Sequence, residues 1–159
     1  MLDDIDRRIL SLLQENARTT QADIARAVRL APSAVLERMR KLEARGTVRG
    51  YAALLDPRAV GQGLLAFVAV QTTDRPGEVV VGRALVDVPE VLEVHHVAGD
   101  DCLLLKVRAH DPEHLSQILR ERLGSLDGVR STRTTIVLET IKERPTLPLT
   151  RPASSEEGA

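Results

Sequence analysis

Apolar residues at the start of the chain recur with helical spacing. Leu2, Ile5, Ile9, Leu12 and Leu13 make one stripe, with Leu10 on its edge. They predict a first helix capped by Asp3 or Asp4 and ending near Asn16. Ile24, Ala25 and Val28 predict a short second helix. Thr20 is its N-cap, and Asp23 stands at N3, where a carboxylate suits the positive helix end. A corner at Arg29-Leu30-Ala31 follows, and Pro32 opens a third helix, because the first helical position needs no N–H. That helix should run to about Arg45 and stop at Gly46. Val35, Met39 and Leu42, at i, i+4 and i+7, turn inward; Ser33, Glu37, Arg40 and Lys41 lie opposite, with Leu36 and Arg38 on the flanks. Two helices meeting at a corner, the second exposed and basic, form a helix-turn-helix, whose second helix enters the DNA major groove.

After Gly46 the pattern changes. Thr47–Leu55 looks extended, a small wing or edge strand with Gly50 as a bulge. Asp56-Pro57 begins a hinge that runs through Gly61 and Gly63. The second half then reads strand (Leu64–Thr73), helix (Glu78–Val88), strand (Val91–Ala98), strand (Cys102–Ala109), helix (Pro112–Leu123, capped by Asp111) and strand (Val129–Ile141). The run Val79-Val80-Val81 is a poor helix former. Gly99-Asp100-Asp101 has the chemistry of a hairpin turn. The order βαββαβ is ferredoxin-like. The expected class is α+β: a three-helix, winged-helix-like helix-turn-helix domain over 1–56, a hinge over 57–63, a ferredoxin-like domain over 64–144 and a disordered tail over 145–159. Along the first strand Leu64, Ala66, Val68 and Val70 alternate with Leu65, Phe67 and Ala69, apolar on both faces. Helices cover only one face of such a sheet, so the other is expected to meet a second copy.

Charge sharpens this picture only when it is split. The whole chain carries a formal charge of -1, but residues 1–56 hold 10 basic and 8 acidic groups, and residues 57–159 hold 12 and 15. From Arg29 to Arg49 six basic residues face two acidic ones. A solvated helix with pairs such as Glu37–Lys41 would also account for those charges. Their place after a Pro-opened corner favours a duplex. With one Tyr and one Phe, the base-stacking modes of single-strand binding have little to work with. One cysteine, Cys102, excludes an internal disulfide and a Cys-based zinc framework. His95 and His96 point to opposite strand faces, and His110 and His114 do not make a clean helical pair, so no metal is expected. No catalytic triad, phosphate-binding loop or cofactor motif is recognisable. The N-terminus is too charged for a signal peptide and the longest apolar run, Leu64–Val70, too short for a bilayer, so the expected location is cytoplasmic, with no membrane partner.

Taken in order, LDDIDRRILSLLQENART, PSAVLERMRKLEARGTVRGYAALLDP, VAGDDCLLLKV and GVRSTRTTIVLETIKE resemble the leucine-responsive regulator/AsnC family of transcription factors over about residues 2–148. The resemblance implies a C-terminal domain that dimerises, assembles further to tetramers or octamers, and binds small effectors, commonly amino acids. It places the effector at Gly99, Asp100, Asp101 and Cys102, with Thr134 and Thr135 on the last strand. A turn glycine lets backbone amides approach a carboxylate, and an Asp pairs with an α-ammonium. The same turn residues would also serve a plain hairpin. Two departures stand out. Cys102 replaces an Asp carried by many relatives, removing an ammonium partner. Ala31 replaces the usual Ser cap, at a cost of about 1 kcal/mol to the third helix.

The expected function is a double-stranded-DNA-binding transcriptional regulator without catalysis. Ser33 would position phosphates; Glu37, Arg40 and Lys41 would meet base edges, with Leu36 beside them; Arg38, Arg45 and Arg49 would hold phosphates. Sirohaem-decarboxylating enzymes resemble this family in both halves, so such an enzyme, with His95 or His96 at a tetrapyrrole cleft, or a sensor without DNA contact, is the alternative. Sedimentation at micromolar concentration should show a dimer; a monomer there would end the expectation of a self-covering sheet.

Overall fold

The structure is a computed structural model that describes residues 2–75, 78–99 and 101–149. The described residues form two units, one of residues 2–53 with 143–149 and one of residues 54–142.

In the first unit three helices close on a small apolar core. Helix α1 (Asp4–Glu15) begins where the Asp6 N–H donates to Asp3 Oδ1 at 2.7 Å. Helix α2 (Gln21–Val28) is capped by Thr20, whose hydroxyl oxygen accepts the Asp23 N–H at 3.2 Å. Helix α3 (Pro32–Ala44) opens on its proline. It stops at Gly46, which takes the left-handed conformation at φ 68. Around that glycine the Thr47 N–H bonds to the Leu42 carbonyl and the Gly46 N–H to the Glu43 carbonyl, both at 2.9 Å. These are the two bonds of a Schellman stop. Ile9, Ile24 and Val35 are fully buried at the centre, joined by Leu10, Leu13, Ala25 and Leu42. Each large apolar side chain so buried contributes roughly 1.5–3 kcal/mol.

Two expectations change here. Thr47–Leu55 forms no strand among the described residues. Val48 turns back onto the core, its N–H bonding to the Leu42 carbonyl at 3.1 Å, and the Tyr51 hydroxyl donates to Glu43 Oε1 at 2.9 Å. A lone extended segment has no ladder partner, so β-propensity alone does not make it a wing. The stretch 145–149, expected as the start of a disordered tail, instead lies on α1. Gln14 holds the Leu147 backbone on both sides, accepting its N–H at 2.6 Å and donating to its carbonyl at 3.0 Å. Leu149 packs against the three-helix core. The rest of the expected tail lies outside the described residues.

The second unit is the ferredoxin-like arrangement. Strands β1 (Leu64–Thr72), β2 (Val91–His96), β3 (Leu103–Ala109) and β4 (Val129–Ile136) form an antiparallel sheet in the order β2-β3-β1-β4. Helices α4 (Val80–Leu85) and α5 (Pro112–Gln117) bring Val81, Leu85 and Leu115 onto the core; α5 continues as a π-helical stretch, Ile118–Leu123, that adds Ile118 and Leu123. Ala66, Val68 and Val70 meet Leu103, Leu105, Val107 and Ala109 in this core. Helix α4 is shorter than expected, in keeping with its β-branched start. Strand β4 stops five residues before Ile141 because β1 begins at Leu64: its last bond is from the Val137 N–H to the Leu65 carbonyl at 2.9 Å.

The helix-free face is less apolar than β1 alone suggested. Register sets Leu65 beside Arg108, and Phe67 between Lys106 and Thr135. Glu93 accepts from Lys106 Nζ and pairs with His95 Nε2, both at 3.1 Å. Leu65 and Ala69 are buried, and Phe67 is the exposed apolar centre of a charged face. The expected hinge is a hydrogen-bonded turn: Gln62 N–H reaches the Pro57 carbonyl at 2.7 Å, and His110 Nδ1 sits 2.5 Å from the Gly61 carbonyl. No helix of the described residues is long and apolar enough to cross a membrane.

Gly128 shows how tightly this unit is closed. It holds φ 92, and an added Cβ would lie 2.9 Å from Val81 Cγ2 and 3.2 Å from Thr73 Oγ1. Gly128→Ala is therefore expected to cost about 2–3 kcal/mol through strain and overpacking. Urea unfolding should show a lower midpoint at unchanged slope; an unchanged midpoint would mean that the Val81 side relaxes freely.

Candidate nucleic-acid interface

Whether α3 can meet a duplex depends on which of its side chains remain uncommitted. Val35 and Leu42 are buried and Met39 is partly so, which turns Ser33, Glu37, Arg40 and Lys41 outward, all four exposed. Leu36 is half-buried on the flank, and Arg45 and Arg49 are exposed beyond the helix end. Lys41 Nζ donates to Glu37 Oε1 at 2.6 Å, a pair one turn apart that both stay largely open to solvent. That ammonium holds the Glu37 carboxyl below its ordinary range. Such exposed pairs stabilise a helix little and exchange readily. Arg40 makes no ion pair or side-chain hydrogen bond among the described residues.

Arg38 differs from its neighbours. Its Nη1 lies 2.6 Å from Asp3 Oδ2 and 2.7 Å from Asp6 Oδ1, bridging the flank of α3 to the start of α1. The Asp3 carboxyl is held below its ordinary value by the Asp6 N–H first and by Arg38 next. Arg38 is raised in turn by the two carboxylates. A lowered carboxyl stabilises the folded chain above the ordinary carboxylate range, and that contribution is lost as pH falls through the lowered value. The expectation that Arg38 is a phosphate contact thus meets a guanidinium already committed to α1. The one signal for this in the chain was Asp3 at the N-cap with Asp6 one turn on, two carboxylates at the start of the same helix.

The corner carries two further features. Arg29 closes α2 in the left-handed conformation, at φ 56 and ψ 45. Ala31 leaves α3 with no side-chain cap.

The residues expected to hold an effector are only partly assembled. Gly99 is exposed at φ 133, and Asp100 lies outside the described residues. Asp101 is ion-paired with Arg133 of β4. Cys102 donates its N–H to the Val70 carbonyl at 3.1 Å and is half-buried against the sheet core. Thr134 and Thr135 pair with Val68 and Phe67, so they point to opposite faces. Only Thr135 shares the open face with Phe67 and Arg133. Arg133 is the member of this cluster that the spacing of motifs missed; its position two residues before Thr135 on one strand face was the available signal. Among the described residues, no group of three or more His, Cys, Asp or Glu side chains could hold a metal.

Known proteins align with both units. Residues 2–49 match the winged helix-turn-helix DNA-binding family and residues 65–147 match the Lrp/AsnC ligand binding domain. The leucine-responsive regulatory protein of Escherichia coli (strain K12) is 38% identical over 144 residues, which cover 89% of this chain and 88% of that one. The HTH-type transcriptional regulator FL11 of Pyrococcus horikoshii is 36% identical over 148 residues, covering 93% and 97%. A transcriptional regulator of Neisseria meningitidis, solved in complex with L-methionine, superposes with a TM-score of 0.86 at 36% identity over 94% of this chain and 97% of that one.

The missing cap gives a direct test of the local energetics. Ala31→Ser supplies an oxygen where the α3 amides begin and should stabilise the chain by about 1 kcal/mol, seen as a higher urea midpoint. No gain would mean that the serine hydroxyl cannot reach those amides.

Proposed function

Since the chain belongs to the Lrp/AsnC family, we propose that it is a DNA-binding transcriptional regulator, modulated by an amino-acid effector, whose α3 lies in the major groove of double-stranded DNA. The observation that carries the reading is Arg40, exposed on the outer face of a helix anchored by Val35 and Leu42, with no ion pair or side-chain hydrogen bond among the described residues. Arg40 and Lys41 read base edges, with Glu37 released from Lys41 to accept from a base and Leu36 alongside. Ser33, Arg45 and Arg49 hold phosphates. Arg38 acts through Asp3 and Asp6 and sets the angle at which α3 is offered.

Two copies present two such helices. The exposed Phe67 on the helix-free sheet face supports a homodimer, which assembles further to a tetramer or octamer in this reading. The effector is a small zwitterion of the kind that the Neisseria relative was solved with. Asp101 and Arg133 match its ammonium and carboxylate, but they already satisfy one another. Binding therefore has to open that pair, and Cys102 supplies no carboxylate beside it. The regulator acts in the cytoplasm and carries out no catalysis.

Arg40→Ala should lower discrimination between a preferred operator and unrelated DNA by about 1–3 kcal/mol in a gel shift against the protein's own upstream DNA. Affinity should also fall steeply with added salt. Equal weakening on every duplex would make Arg40 a phosphate contact. A protein that binds porphyrin and no duplex would replace this reading with the enzyme.

A further inference from the structure

Arg29 is the one non-glycine residue with positive φ among the described residues. The Leu30 N–H reaches back across it to the Ala25 carbonyl at 3.0 Å, closing α2 in the pattern that usually seats a glycine. An L side chain crowds its own backbone in that conformation. The conformation serves the stop of α2, but the arginine side chain adds nothing to it: Arg29 is exposed, and it makes no ion pair or side-chain hydrogen bond among the described residues. Of the nearby cations, Arg26 is engaged with Asp23, Arg38 with Asp3 and Asp6, and Lys41 with Glu37, whereas Arg29, like Arg40, is not. Strained backbone positions gather at functional sites, and a long charged side chain there without a structural contact is open to a partner.

We propose that Arg29 is a DNA-phosphate contact made from the corner between α2 and α3. This rests on the DNA-binding reading of α3 and adds a residue outside the helix that reads bases. In a helix-turn-helix the first helix crosses the DNA backbone while the second enters the groove, so a long side chain at their junction meets phosphate oxygens before base edges. A guanidinium fits two phosphate oxygens with parallel N–H bonds, and its charge survives at any working pH. Such a contact adds affinity on every sequence and selects none.

The test uses the full chain, a fluorescent mixed-sequence duplex and a sodium chloride series. Arg29→Gly relieves the strain and removes the charge, so its two readouts move in opposite directions. Its thermal midpoint should rise by about 2 °C. Its binding should weaken about tenfold, with a log–log salt slope shallower by about one. Arg29→Asn, which tolerates the left-handed conformation without a charge, should bind like Arg29→Gly, while Arg29→Lys should keep the wild-type slope. A more stable Arg29→Gly that binds with unchanged affinity and slope overturns the proposal and leaves the role of α3 standing. A less stable Arg29→Gly makes the arginine a prop of the corner and also overturns it. Loss in Arg29→Lys equal to that in Arg29→Gly shows that charge is not what the DNA meets. A wild-type protein that binds no duplex removes the DNA-binding reading itself.

Discussion

A helix of 13 residues on a small domain can bury only one stripe, and in α3 that stripe runs through Val35 and Leu42. The DNA-binding reading depends on that constraint. Because those two side chains are locked against Ile9 and Ile24, Arg40 and Lys41 have nowhere to go but outward. A three-helix core of this size leaves little apolar area to set helix angles. The bridge from Arg38 to Asp3 and Asp6 adds directional contacts where hydrophobic burial, being non-directional, leaves the angle loose.

Local chemistry was the most legible part of the chain. Caps at Asp3, Thr20 and Asp111, the proline starts and the Gly46 stop all depend on residues within one helical turn, and they stand where the spacing predicted. The βαββαβ order was legible for the same reason. What the chain hid depends on pairings between distant residues. The end of β4 is set by where β1 begins, and the character of the open sheet face by Lys106 and Arg133 across the register from Phe67 and Ala69. The commitment of Arg38 follows from partners more than thirty positions away. Thr47–Leu55 looked extended because its residues favour extended backbone, yet a strand needs a neighbour to bond with.

The candidate effector site shows the same division. Gly99 and Asp101 are recognisable as turn chemistry, but the pairing of Asp101 with Arg133 changes what they can do. A carboxylate that faces a guanidinium offers a ligand an exchange of partners rather than an open charge. A ligand with both an ammonium and a carboxylate satisfies each half of the opened pair at once, whereas a simple amine or a simple acid strands the other half.

The contact between Gln14 and Leu147 makes the DNA-binding unit discontinuous in the chain. Its three helices precede the sheet along the chain, yet one of its surface segments follows it. The helical unit is thus completed only by residues that lie on the far side of the sheet in the chain. Removal of the segment after residue 142 would leave the helical unit with an uncovered flank on α1 and an unanswered Gln14 side chain.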